Sequence, residues 1–154
     1  MKEERRKKKV LILFLVVVLL LGACATGEGV ESHEAWVRNA NQGEITAVYM
    51  ILHNHTDVDD ALLGVSTDVA EAAELHLSAV QNDVMTMTQQ ERIEIPAGDE
   101  VVLESGGYHI MLINLKQDLQ VGDEITITLN FENYPDVMVT VPVKDSAEEH
   151  QSHP

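Results

Sequence analysis

The stretch Ile125-Thr126-Ile127-Thr128-Leu129-Asn130-Phe131 alternates apolar and polar residues without a break. Successive side chains of a β-strand point to opposite faces, so the alternation predicts a strand with one face on a core and the other in water. No comparably long segment of the sequence carries the apolar stripe of an amphipathic helix. This stretch therefore predicts that the fold is built from strands.

Similar β-rich runs continue on both sides of this stretch, separated by Gly, Asn, Asp and Pro at intervals of about ten residues. They predict ten strands, at residues 35–38, 44–53, 61–66, 73–80, 84–88, 92–95, 100–104, 108–115, 124–131 and 137–143. Many short strands at this spacing indicate an all-β antiparallel sandwich of two sheets.

The N-terminus has the pattern of a secretory signal peptide. Six of the ten basic residues lie within the first nine positions, and residues 10–21 form an unbroken apolar run. That run is too short for a transmembrane helix, which needs roughly 20 residues. It ends in Leu21-Gly22-Ala23-Cys24, which resembles a bacterial lipobox whose cysteine is lipidated. We expect an extracytoplasmic lipoprotein, in the periplasm or on the outer face of the plasma membrane; the alternative is a buried apolar helix that ends at Cys24.

Charge and cysteine content exclude several classes of protein. The chain has 10 Lys and Arg against 26 Asp and Glu, a formal charge of −16. Nucleic-acid binding depends on Lys and Arg contacts to phosphates, so no nucleic-acid partner is expected. Without the signal peptide, 4 basic and 24 acidic residues give a charge of −20. This charge repels anionic membranes, so a lipid anchor would hold the protein there. One cysteine in the whole chain excludes a disulfide scaffold, a Cys-rich zinc site and an iron–sulfur cluster.

Four soft side chains are the candidate metal ligands: His76, Met87, His109 and Met111. His109 and Met111 are two apart on one predicted strand, so they share a face. Thioether sulfur binds Cu(I) well and has little affinity for Zn(II), Mg(II) or Ca(II). Two imidazoles and two thioethers therefore predict a Cu(I) site, and a site whose four positions are all filled by protein leaves no room for a substrate.

The other pair depends on a predicted hairpin. If Gln81-Asn82 forms a two-residue turn, Val80 pairs with Asp83, and counting outwards places His76 directly opposite Met87. Side chains at such positions lie roughly 4.5–5.5 Å apart at Cβ and can reach one ion. This register is a prediction that a structure can test.

The motif His76-x10-Met87-x21-His109-x-Met111 is similar to the Cu(I)-binding motif of the periplasmic copper chaperones of the PCu(A)C type. The similarity covers about residues 34–143 and includes Ala35-Trp36-Val37-Arg38, Asp59-Asp60-Ala61-Leu62-Leu63-Gly64-Val65, Ala73-Glu74-Leu75-His76, Ile95-Pro96-Ala97-Gly98 and Gly106-Gly107-Tyr108-His109-Ile110-Met111-Leu112. The resemblance implies a cupredoxin-like Greek-key β-sandwich with copper near one end. It also implies delivery of Cu(I) outside the cytoplasm to a copper-accepting protein, such as a cytochrome c oxidase subunit or another copper carrier.

The predicted organisation follows from these features. Residues 1–23 form the signal peptide with its lipobox, and 24–33 form a short linker. Residues 34–144 form the copper-binding β-sandwich, and 145–154 form a polar, disordered tail.

Other metal-binding side chains have weaker support. Met85 shares the face of Met87 and is an auxiliary ligand candidate, although a hydrophobic neighbour of the ion is the favoured interpretation. His150 and His153 in the tail are candidates for Cu(II) or Zn(II). His53 and His55 could form a second metal site, but an Asn- and Asp-rich turn at a strand end explains them more simply. His33 receives no role.

Alternative functions remain at this point. A copper scavenging or storage lipoprotein would use the same site, and a metal-free β-sandwich interaction module would use the His and Met side chains for packing. An electron-transfer cupredoxin needs a Cys thiolate ligand, and the one cysteine lies in the lipobox. An enzyme is not expected, because Ser105-Gly106-Gly107-Tyr108-His109 is not a nucleophile elbow and no pair of carboxylates stands out.

Overall fold

A computed structural model describes residues 29–145, apart from Asn82 and the side chain of Gln81. All ten predicted strands are present, and the described residues contain no helix. The strands are β1 (Val30–Arg38), β2 (Thr46–Asn54), β3 (Asp60–Thr67), β4 (Ala70–Gln81), β5 (Val84–Gln90), β6 (Ile93–Ile95), β7 (Glu100–Leu103), β8 (Tyr108–Leu115), β9 (Glu124–Phe131) and β10 (Val137–Lys144). In this part of the chain no helical segment is long and apolar enough to cross a membrane.

The division of the chain into signal peptide, linker, β-sandwich and tail stays a prediction. β1 begins at Val30, so the β-structure starts four residues before the predicted boundary, within the predicted linker of residues 24–33. The signal peptide with Cys24 and the tail histidines His150 and His153 lie outside the described residues.

The strands form one hydrogen-bonded sheet in the order β5-β4-β8-β7-β2-β1-β10-β9-β3-β6, with an additional pairing of β2 with β8. Nearly all neighbours are antiparallel. β1 and β10 run parallel through Val37↔Val143 and Arg38↔Lys144, and this short pairing joins the half from β5 to β1 to the half from β10 to β6. The two predicted sheets are therefore joined at one edge.

One hydrophobic core lies between the two halves. It contains Leu52 and Ile110 from the first half and Ile127 and Leu129 from the second, all fully buried. Each such side chain contributes about 1.5–3 kcal/mol through removal from water. In β9 every second residue is buried, from Ile125 to Phe131, which confirms the alternation on which the all-β prediction was based.

The first half of the sheet has an outer face that points away from this core. In β2, Val48, Met50 and Leu52 are buried in the core, so the alternating residues between them face outwards. In β8, Ile110 and Leu112 belong to the core, so His109 and Met111 lie on the outer face. The candidate ligands lie on this face of β5, β4 and β8.

Candidate metal centre

Three of the four predicted ligands lie side by side on the outer face. His76 in β4 is directly opposite His109 in β8, and their ring centroids are 6.0 Å apart with an interplanar angle of 33°. Met111 is two residues further along β8, where it is opposite Glu74. Residues two apart on one strand share a face, so the two imidazoles and this thioether point to the same side.

The predicted register of the β4–β5 hairpin is wrong by two residues. Gln81 pairs with Val84, so His76 is opposite Gln89, and Ser78 is opposite Met87. Two residues, 82 and 83, therefore separate the paired ends of β4 and β5, and Asp83 has a φ of 62°. Tight hairpin turns require such positive φ values, and Asp tolerates them much better than most residues.

A two-residue shift leaves Met87 on the same face as His76 but moves it towards the hairpin tip. As a diagonal cross-strand neighbour, its Cα is about 7–8 Å from that of His76. Met87 is 53% exposed and belongs to β5, which is the edge strand of the sheet. Met87 is opposite Ser78 of β4 and Met111 is opposite Glu74. The two methionines are therefore four residues, or about 13 Å, apart along the direction of β4. The structure thus groups His76, His109 and Met111, and leaves Met87 at the rim.

The auxiliary candidate Met85 is further from this group. It is opposite Val80, and both side chains are 66% exposed. Met85 shares the face of Met87, as predicted, but it is two residues closer to the hairpin tip. Of the two methionines of β5, Met87 is therefore the one nearer to His76.

The His76 ring is oriented by a neighbouring carboxylate. Its Nε2 lies 2.9 Å from Oε2 of Glu74. An ionised carboxylate only accepts hydrogen bonds, so Nε2 carries a proton and donates; in the neutral ring, the form that binds a metal, Nδ1 then has the lone pair. Nδ1 is buried and has no hydrogen-bond partner among the described residues. A buried imidazole nitrogen without a partner fits a metal ligand whose ion completes its coordination.

His109 has the complementary arrangement. Its Nδ1 lies 3.0 Å from the carbonyl oxygen of Gly107. The carbonyl accepts, so Nδ1 donates and Nε2 holds the lone pair. The same carbonyl accepts a hydrogen bond from the backbone N–H of Ser78, which ties the start of β8 to β4. His109 is 4% exposed, so its ring is held by both packing and hydrogen bonding.

The chemistry of this group suits a soft, monovalent ion. Two neutral imidazole nitrogens and a thioether sulfur are soft or borderline ligands. The side chain of His76 is only 14% exposed, while the exposed Met87 stands at the rim. An ion at this position would be partly buried and would meet solvent on the side of β5.

A second group of histidines lies on the same outer face. The ligand nitrogens of His33, His53 and His55 all lie within 4.8 Å of one another. In the sequence, His53 and His55 could form a second metal site, with a strand-end turn as the favoured interpretation, and His33 has no role. The sequence does contain a sign of this group, because Glu31 and His33 are two residues apart, as are His53 and His55. The spacing is informative only once β1 is known to begin at Val30.

The chain matches the model of a family with the description "Putative lipoprotein LpqE-like" over residues 30–143. A protein of Leifsonia xyli subsp. xyli named "Putative lipoprotein Lxx21020" is 35% identical over 119 residues, which are 77% of this chain and 71% of that protein. The family match covers nearly the whole β-structure, which runs from Val30 to Lys144.

Two solved structures have a similar fold. The copper-bound PCuAC domain from PmoF2 superimposes with a TM-score of 0.65 at 24% identity, over 79% of this chain and 96% of that domain. The solution structure of CuI-DR1885 from Deinococcus radiodurans gives a TM-score of 0.58 at 27% identity, over 82% and 87% of the two chains. These likenesses confirm the cupredoxin-like β-fold and the resemblance to PCuAC domains. From the family match and the Leifsonia relative together, this chain belongs to the LpqE-like lipoprotein family.

Proposed function

We propose that this protein is an extracytoplasmic, lipid-anchored copper chaperone that binds one Cu(I) through His76, His109, Met111 and Met87. It would pass the ion to a copper-accepting protein, such as a cytochrome c oxidase subunit or another copper carrier. The observation that carries the proposal is the direct pairing of His76 with His109, each with one ring nitrogen left as an acceptor. The similar folds of a copper-bound PCuAC domain and of CuI-DR1885 support it.

The ligand set favours Cu(I) over the commoner divalent ions. Thioether sulfur is polarisable and neutral, so it contributes to binding a soft monovalent ion and little to binding Zn(II) or Mg(II). It also needs no deprotonation, so only the two imidazoles make the affinity depend on pH. The site therefore selects its cargo without a thiolate, which outside the cytoplasm is open to oxidation.

The exposure of the ligands supports transfer. His109 is 4% exposed and Met87 is 53% exposed. A ligand from an acceptor would replace Met87 first, because its sulfur is accessible and β5 is an edge strand. The ion would then leave His76, His109 and Met111 one bond at a time. The proposed role is binding and exchange of an ion, without catalysis.

Membrane attachment through Cys24 is part of the proposal. The sequence Leu21-Gly22-Ala23-Cys24 resembles a lipobox, and the family and its Leifsonia relative are described as lipoproteins. In cells, Cys24→Ser should move the protein from the membrane fraction to a soluble extracytoplasmic fraction. An unchanged membrane fraction for Cys24→Ser would contradict the anchor.

The metal-binding test is an anaerobic Cu(I) titration against a competing chelator. The full chain should bind one Cu(I) tightly, and the double variant His109→Ala, Met111→Ala should lose most of this affinity while keeping its β-structure. Met138→Ala is the matched control, because Met138 is 76% exposed on β10 in the other half of the sheet. Equal Cu(I) affinity of the double variant and the wild type would refute the proposed site.

A further inference from the structure

The three histidines His33, His53 and His55 meet where β1 begins and the antiparallel strand β2 ends. The rings of His53 and His55 have centroids 3.9 Å apart, and those of His33 and His55 are 6.5 Å apart in an edge-to-face arrangement. Their ligand nitrogens lie within 4.8 Å of one another. Nitrogens around a tetrahedral ion with bonds of 2.0–2.1 Å lie about 3.3 Å apart, so small rotations of these side chains would complete such a site.

The backbone explains why these residues meet. Glu31 is directly opposite His53 in the β1–β2 pairing, and His33 follows two residues later on the same face. The backbone N–H of His55 donates to the carbonyl of Gly29, which holds His55 beside β1 beyond the end of β2. His53 and His55 are two apart, so they also share this face. The positions of all three imidazoles are thus set by the main-chain ladder.

Carboxylates surround the group. Oε2 of Glu31 is 3.6 Å from Nε2 of His33 and 3.5 Å from Nε2 of His55. Glu100 of β7 is directly opposite His53 on its other side. The negative charge of both carboxylates favours a cation here, and Glu31 is placed to act as a fourth ligand or to orient the imidazoles.

We propose that His33, His53 and His55, with the carboxylate of Glu31, form a second metal site for a divalent ion of the copper–zinc class. Imidazole and carboxylate are borderline and hard ligands, so this set suits Cu(II) and Zn(II) and lacks the sulfur that favours Cu(I). By the Irving–Williams order, Cu(II) binds more tightly than Zn(II) to the same nitrogen and oxygen ligands.

The second site is separate from the first. Ile110 is opposite Val48 on β2, so the preceding His109 is level with Tyr49. His53 lies four residues further along β2, about 13 Å away. The two sites also use different ligand types. The second site therefore stands independently of the proposed Cu(I) function, and each can fail without the other.

The test is a titration of the full chain with Cu(II), and separately with Zn(II), against a competing chelator. It is carried out in a His150→Ala, His153→Ala background, so that the tail histidines do not contribute. This background should bind one Cu(II), more tightly than Zn(II), and its EPR spectrum should show coupling to at least two nitrogens. Adding His33→Ala, His53→Ala and His55→Ala should lower the Cu(II) affinity at least a hundredfold, and adding Glu31→Gln alone about tenfold.

Two controls separate this site from folding and from the Cu(I) site. Ser32→Ala lies on the other face of β1 and should leave Cu(II) binding unchanged. The triple histidine variant should keep the wild-type melting temperature and the wild-type Cu(I) affinity. Unchanged Cu(II) affinity of that variant, or a Cu(II) EPR spectrum without nitrogen coupling in the background, would overturn the proposal.

Discussion

His76 and His109 are directly opposite each other on the antiparallel strands β4 and β8. They are 33 residues apart in sequence, and only the pairing of these strands brings their rings to a centroid distance of 6.0 Å. Hydrogen bonding to Glu74 and to the Gly107 carbonyl leaves one nitrogen of each ring as an acceptor. The pair therefore forms the rigid part of the candidate copper site, to which the methionines add sulfur.

Glu74 should tune the affinity of this site through His76. Glu74→Gln removes the charge that orients the imidazole, and loss of such a supporting partner typically weakens metal binding by about 10–100-fold. We expect a weaker Cu(I) affinity at the low end of this range, measured by chelator competition. Glu71→Gln is the matched control, since Glu71 is an exposed residue of the same strand. If both variants bind Cu(I) as tightly as the wild type, Glu74 does not orient a ligand.

Met87 and Met85 should differ in their effect. Met87→Leu keeps the volume and removes the sulfur nearer to His76, so the Cu(I) affinity should fall about tenfold, or ~1.4 kcal/mol. Met85 is two residues closer to the hairpin tip, so Met85→Leu should leave the Cu(I) affinity unchanged. The same Cu(I) titration measures both. A larger loss in Met85→Leu than in Met87→Leu would exchange the roles of the two residues.

Asp60 should stabilise the fold without taking part in metal binding. It is 4% exposed, and its carboxylate accepts backbone N–H hydrogen bonds from residues 132, 133 and 134 beyond the end of β9. Asp60→Ala leaves these donors without their acceptor, so the free energy of unfolding should fall by about 3 kcal/mol. Chemical denaturation measures this change, provided that the dependence of the unfolding free energy on denaturant concentration is the same in variant and wild type.

The adjacent Asp59 provides the control for this prediction. Its exposed carboxylate accepts one hydrogen bond, from the backbone N–H of Ala97, so Asp59→Ala should lower the free energy of unfolding by about 1 kcal/mol. Similar losses for the two variants would show that the buried network around Asp60 is not a main source of stability.

Local periodicity was sufficient to predict the strands and the shared face of one ligand pair. The alternation of residues 125–131 and the spacing of His109 and Met111 both follow from the two-residue repeat of a strand, which needs no knowledge of distant contacts. The ten strands are consequently confirmed. The resemblance to PCuAC domains added the Greek-key fold, which the comparisons bear out.

Pairing between strands could not be predicted in the same way. The sequence predicts a turn at Gln81-Asn82, but Gln81 still pairs with Val84, and the residue with the positive φ is Asp83. A two-residue shift in strand register keeps every side chain on the same face, so the hydrophobic pattern is the same for both registers. Only the cross-strand register distinguishes Gln89 from Met87 as the partner of His76.

The histidine group was missed for a related reason. The first four residues of β1 after Val30 are Glu31, Ser32, His33 and Glu34, which are polar on both faces and give no alternation. Glu34 has a φ of 52°, and the β1–β2 register shifts between His33 and Trp36. Such a β-bulge adds one residue to β1 and keeps both His33 and Trp36 on the outer face. This feature is visible only in the paired strands.

The most direct test of the proposed Cu(I) site is X-ray absorption at the copper K-edge, on the full chain loaded anaerobically with one equivalent of Cu(I). The account predicts a nearest shell of two nitrogens and two sulfurs, and the loss of one sulfur in Met111→Leu. A shell of nitrogen and oxygen alone would place the ion away from the methionines and contradict the assignment of His76, His109, Met111 and Met87.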